Sequence, residues 1–197
     1  MAGRKGDGHH LTVAEFIEDI ASSSVAKNPE SCALRWVTER WGNKDGGYNS
    51  ARSAFWRVAK KTLLRPDETD EFWSSRLVWS NLYKIAPWVG GNPDSRLAAI
   101  QFPFCRDLLM QEIDAFRPRR VVFATGIDWA DCFLDHTRFV RCDPKAFGQN
   151  VLGLGDLVLK DEKIGKFVIA PHPQGKGEAL WVREVAAALI ADATICP

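Results

Sequence analysis

The 197-residue sequence lacks any apolar stretch long enough to span a bilayer, and no apolar run follows its basic opening MAGRKGDGHHLT. Neither a membrane helix nor a secretory leader is therefore expected, and a cytoplasmic location follows by elimination. Charge of one sign is also missing. Lys and Arg total 26 against 25 Asp and Glu, so the net charge of +1 makes no global case for or against a nucleic-acid partner, and any such surface must be a local basic patch. The five cysteines (Cys32, Cys105, Cys132, Cys142 and Cys196) are odd in number and contain no CxxC pair, which excludes a disulfide scaffold and suits a reduced compartment. His and Cys show no zinc spacing, so no metal is expected. Internal repeats and low-complexity tracts are absent, and a hydrophobic fraction of 46% argues against disorder except at the ends. What the chain does have is aromatic mass. Eight Trp and eleven Phe supply a core and, beyond it, rings suited to stacking on bases.

The length fits one domain over 1–197, with a mobile tail over 1–10 and a helical segment over 11–65 packed on a sheet. Thr12 and Glu15 form a capping box ahead of the stripe Val13, Phe16, Ile17 and Ile20. Asn28 and Pro29 open a second helix that should bury Ala33, Trp36, Val37 and Trp41. A third, from about Ser50, turns Ala54, Phe55, Val58, Ala59 and Leu63 inward. Its other side carries Arg52, Arg57, Lys60 and Lys61, which read as a solvated face. Arg76–Lys84 is short and β-prone. The helix opened by Asn92 and Pro93 should break or kink at Pro103, whose ring clashes with the preceding turn. Arg120–Thr125, Arg138–Cys142, Leu152–Leu159 and Lys166–Ala170 are strand candidates, and Asp128 is a candidate helix cap between the first two. The uniformly apolar Val121–Ala124 and Phe167–Ala170 read as interior strands of a mainly parallel sheet covered on both faces. Glu178–Ile190 is the last helix, with Trp181, Val182, Val185, Ala186 and Leu189 inward.

The second half also carries an ordered set of motifs. Asn81-Leu82-Tyr83-Lys84 is followed by Pro87 and GGNPDS, then by FCRDLLMQEIDAFRP, by VVFATG and finally by FVIAPHPQGKG. In this order and spacing they resemble the uracil-DNA glycosylase superfamily over about residues 76–192. The nearest match is to families whose middle motif reads Asn-x-x-Lys before a Pro- and Gly-rich loop. The resemblance implies an α/β three-layer sandwich with a mainly parallel sheet, and DNA as the partner.

His172 is the sharpest candidate. Taken alone, it reads as a turn histidine between Pro171 and Pro173, satisfied by backbone. Yet it follows an apolar strand, where α/β sheets place ligand sites. The resemblance makes it the catalytic histidine, a donor beside the base carbonyl oxygen. Such a donor stabilises the negative charge that the leaving base acquires as the glycosidic bond breaks. Asn81 is either a strand-ending turn residue or, as the resemblance implies, the reader of the base edge, since an amide offers both donors and an acceptor. Gln174, Gly175 and Lys176, ahead of the last helix, are either a surface loop or a DNA-backbone contact. The family usually places Ser where this chain has Gln174, which weakens the case for minor-groove insertion.

Other parts of the family pattern have no counterpart. Family members open with a strand and a Gly- and Pro-containing loop that carries the water-positioning carboxylate or amide and a stacking aromatic. No such strand precedes Asn81. The motif is either absent or altered beyond placement, with Asn43, Asp45 and Tyr48 the nearest substitutes. Some members hold an iron–sulfur cluster on four cysteines. Here Cys105 matches one ligand but Ile85 stands at another, so no cofactor is expected. Three readings of function stay open. The chain is a glycosylase acting on a flipped base, a binder of bases or nucleic acid without turnover, or an interaction module that retains only the fold.

Overall fold

A computed structural model of the chain describes residues 15, 34–64 and 70–191. The tail over 1–10, the helix expected from Thr12 (Glu15 apart) and the Asn28–Pro29 helix start lie outside the described residues. Those described fall into two compact units: 15 with 81–110, and 34–64 with 70–80 and 111–191. The fold is mixed α/β, and among the described residues no helix is long and apolar enough to cross a membrane.

In the larger unit, α1 (Arg35–Glu39) buries Val37, while Trp36 stays 38% exposed rather than turning inward. The Asn49 side chain accepts from the Ala51 N–H and so caps a 3-10 turn over Ser50–Arg52, which leads into α2 (Ala54–Leu63). Leu34, Val37, Trp56 and Trp73 form a local core beneath these helices.

The sheet is built from β1 (Arg120–Phe123), β2 (Phe139–Cys142), β3 (Gly153–Leu159) and β4 (Glu162–Ile169), in the order β1-β4-β3-β2. Only β1 and β4 pair in parallel; β4–β3 and β3–β2 are antiparallel, which corrects the expectation of a mainly parallel sheet. The cause is local. Lys160 and Asp161, both at positive φ (51° and 62°), make a two-residue turn that returns the chain directly alongside itself, whereas a parallel neighbour needs a long crossover. Val121–Ala124 is corrected as well. β1 is an edge strand in which Phe123 is buried and Val122 is 36% exposed. An apolar run of four residues cannot reveal on how many sides it is covered. β4 is interior as expected, with Phe167, Val168, Ile169 and the following Ala170 fully buried.

The pleat sends Phe167 to one face, where it meets Phe139 edge-on, and Phe139 in turn meets Phe123. Val168, Ala170 and Leu154 join a second cluster with Val58 of α2 and with Trp181, Val185, Ala188 and Leu189 of α5 (Glu178–Ile190). α2 and α5 thus share a face of the sheet, and this part of the helical 11–65 segment packs on it. β3 approaches β2 closely at Gly155. A methyl group there would run into the Val140 carbonyl oxygen and lie 2.7 Å from the Phe167 ring. Gly126, not Asp128, stands at the N-cap of the short α4 (Ile127–Ala130).

In the smaller unit the Asp94 carboxylate accepts from the Leu97 N–H at 2.8 Å and opens α3 (Ser95–Phe116), whose last residues belong to the larger unit. α3 continues through Pro103, so the break expected as one outcome there does not occur. No strand forms over residues 76–84 either. Fully buried Gln101 instead holds the chain at Lys84 and Ile85. Its Oε1 accepts from the Lys84 and Ile85 N–H groups and its Nε2 donates to the Ile85 carbonyl, each at 3.0 Å. Three satisfied hydrogen bonds outweigh any strand propensity of a segment with no ladder partner.

Two substitutions check the hairpin. Gly155→Ala should destabilise the chain by about 1–3 kcal/mol through overpacking against backbone. Asp161→Gly removes the steric cost of a left-handed side-chain residue, about 1–2 kcal/mol less the entropy of glycine. It should raise the melting temperature by roughly 2–4 °C. Thermal and urea unfolding read both; equal effects of the same sign would contradict this description of the turn.

Candidate functional site

The buried end of β4 determines where His172 stands. After Ile169 the Ala170 N–H donates to the Phe123 carbonyl and the Gly126 N–H donates to the Ala170 carbonyl, each at 2.9 Å, so the chain is held to the end of β1. The Trp181 indole N–H then donates to the Pro171 carbonyl at 2.9 Å, and Pro173 is buried. Exposed His172 lies between these two fixed points. Its Nδ1 accepts from the Gln174 N–H at 3.3 Å. In the neutral ring the proton therefore sits on Nε2, which is left as the donor. The turn closes with the Lys176 N–H donating to Pro173 at 3.1 Å, and Gly175 takes the φ of 75° that its third position requires.

From the other side α2 brings Phe55, whose ring lies 6.4 Å from the imidazole and within 19° of parallel to it. Phe55 is braced by Trp56 at 4.9 Å in an edge-on contact, and Trp56 is braced in turn by Trp36 and Trp79. Together these segments enclose a cleft of 330 Å³ lined by Arg52, Ser53, Ala54, Phe55, Arg57, His172, Gln174 and Gly175. That volume is at the small end of ligand sites. A more open depression of 420 Å³ lies elsewhere in the unit, beside Cys132, but its Arg141 and Asp131 pair with each other.

A charge cluster fixes one wall of the cleft. Arg57 donates through Nε to Glu178 Oε1 at 2.8 Å, pairs with the same oxygen through Nη2, and donates through Nη1 to the Ala51 carbonyl at 2.8 Å. Lys61 reaches Glu178 Oε2 at 3.1 Å. The hydrogen bond from Arg57 holds the Glu178 carboxyl below its ordinary pKa, and partial burial opposes this only in part. The reciprocal bond raises Arg57. The basic side of α2 is only partly a solvated face: Arg52 and Lys61 are exposed, but Arg57 and Lys61 clasp Glu178, and Lys60 lies 4.5 Å over the Trp41 ring.

Of the residues singled out in the sequence, His172, Gln174 and Gly175 line this cleft, and exposed Lys176 follows in the same turn. Asn81 belongs to the smaller unit, where it is exposed and its carbonyl accepts from Lys84 Nζ at 2.6 Å. Arg52, Phe55, Arg57 and the Trp181 anchor were not identifiable beforehand, because no spacing within α2 points to a loop more than a hundred residues away. Among the described residues, no group of three or more His, Cys, Asp or Glu is placed to hold a metal ion. No family model, curated protein or solved structure matches the chain.

The Glu178 cluster has a measurable pH signature. Because the folded carboxyl is held below its ordinary value of 4.5, its stabilising contribution is complete above that value. It is lost as pH falls through the lowered folded pKa. Urea midpoints of the wild type should decline over that acid interval more steeply than those of Glu178→Gln. Parallel curves would show that the pair contributes nothing to stability.

Proposed function

We propose that the chain is a base-recognising protein of the uracil-DNA glycosylase type. It binds an unstacked base of DNA in the His172 cleft and turns it over weakly or not at all. The observation that carries this reading is the hydrogen bond that His172 Nδ1 accepts from the Gln174 N–H. With Nδ1 taken by the Gln174 N–H, the neutral ring presents Nε2–H as a donor beside the nearly parallel Phe55 ring. A donor next to an aromatic face suits a flat, carbonyl-bearing ring, which stacks while its oxygen accepts the proton's hydrogen bond. The three-layer arrangement implied by the motif order is part of the same reading.

Binding is favoured over excision by the state of the carboxylate beside the cleft. Hydrolysis of a glycosidic bond needs a group to position or activate water. Both Glu178 oxygens are engaged by Arg57 and Lys61, and its carboxyl is held in the ionised form. The described lining itself contains no carboxylate. Loss of a water-positioning group costs about 10²–10⁴ in rate and leaves base recognition in place.

The test uses a fluorescently labelled single-stranded oligonucleotide with one central uracil. Anisotropy should report binding that His172→Ala weakens by up to about tenfold, the scale of one lost hydrogen bond. His136→Ala should leave binding as it is. Base release from the same strand should be slow or undetectable. Equal affinities for wild type and His172→Ala would remove the base pocket, and rapid multiple-turnover release of uracil would overturn the assignment of binding without turnover.

A further inference from the structure

The two arginines that line the cleft are employed differently. Each nitrogen of the Arg57 guanidinium is engaged, Nε and Nη2 by Glu178 and Nη1 by the Ala51 carbonyl. That last bond pins the backbone one residue before Arg52, and the Asn49 cap holds the same turn from its start. Arg52 is thus presented at the cleft on a fixed 3-10 turn. Its exposed side chain makes no hydrogen bond or ion pair with any described residue. Glu178, the carboxylate of the cluster, is already shared by Arg57 and Lys61, so the cleft keeps an excess of positive charge on the Arg52 side.

We propose that Arg52 is the phosphate-recognition residue of this cleft, so that its ligand is a ring joined to a phosphate, a nucleotide unit rather than a free base or nucleoside. The proposal rests on the base-binding reading above and adds the anionic half of the ligand. A guanidinium presents a planar fork of donors that matches two phosphate oxygens. Next to the Phe55–His172 rings it completes recognition of the two chemically distinct ends of a nucleotide. Arg57 acts here as a positioning residue, holding the turn that carries Arg52.

Calorimetric titration of the full chain with deoxyuridine, deoxyuridine monophosphate, a short single-stranded oligodeoxyuridine and inorganic pyrophosphate tests this. The monophosphate should bind about tenfold more tightly than the nucleoside, the scale of one charge-assisted contact. Raised salt should narrow that difference. Arg52→Gln should bring the ratio of the two affinities close to one, Arg52→Lys should keep part of it, and Lys160→Ala on the distant hairpin should change neither affinity. A strand that binds more tightly than the monophosphate identifies DNA as the source of the nucleotide, and equal binding identifies a free nucleotide; both outcomes support the subsite. Pyrophosphate binding that depends on Arg52, without any nucleoside binding, supports the subsite while removing the base reading. Equal affinities for nucleoside and monophosphate, or an Arg52→Gln variant that weakens both alike, overturn the subsite with base binding intact. No binding of any probe overturns both.

Discussion

Complete burial of Phe167, Val168, Ile169 and Ala170 is the constraint on which the larger unit is arranged. Burying a Phe, Val or Ile side chain contributes about 1.5–3 kcal/mol, so Phe167, Val168 and Ile169 hold β4 at the centre of the sheet. Both faces of the strand are used, one against Phe139 and the other against the α2–α5 cluster. The chain therefore leaves the sheet at a fixed place and direction. His172 lies three residues beyond the end of β4, between a carbonyl bonded to Trp181 and a buried proline. Its position is inherited from the core, even though its own side chain is exposed.

The second wall of the cleft has a different origin. α2 presents Phe55 to His172 while Trp56, its neighbour in sequence, is buried among other tryptophans. Much of the aromatic content of the chain serves this purpose. Trp36, Trp41, Trp73 and Trp79 join Trp56 of α2 in an aromatic cluster, two of whose contacts are edge-on, and an edge-on ring contact adds about 0.5–1.5 kcal/mol beyond its buried area. The Arg57–Glu178–Lys61 cluster then links α2 to the first turn of α5. Apolar support sets the depth of α2, and charge sets its register against α5. A carboxylate in the first turn of a helix is itself favoured by the helix dipole, so Glu178 serves both ends of that link.

In three dimensions a buried strand leads to His172, and the Gln174–Lys176 turn follows it. The sheet departs from the mainly parallel arrangement expected of it. Two of its three pairings are antiparallel, and one of these arises where Lys160 and Asp161 fold β3 directly onto β4. A left-handed pair without glycine or asparagine gives no warning in sequence, so a tight hairpin was read as two independent strands. Arg76–Lys84 failed for a related reason. β-propensity describes fit to a neighbouring strand, and here the neighbour of Lys84 and Ile85 is the side chain of Gln101.

Within the described residues, the sequence alone determined those features whose cause is local. The span of α5, the existence of the four strands and the interior character of β4 follow from periodicity and from runs of apolar residues. His172, between two prolines after an apolar strand, read from its neighbours alone as a turn histidine, and its candidacy came from the resemblance. What only the tertiary structure decided depends on residues far apart in the chain. It decided which strands are neighbours, that Arg57 and Lys61 answer Glu178, that Trp181 anchors Pro171, and that Phe55 and Arg52 stand beside His172. Patterning reports whether a side chain is to be buried or solvated. The partner it meets is chosen by packing the whole unit at once, and a charge that looks solvated on its own helix becomes part of a site only when another helix brings the opposite charge to it.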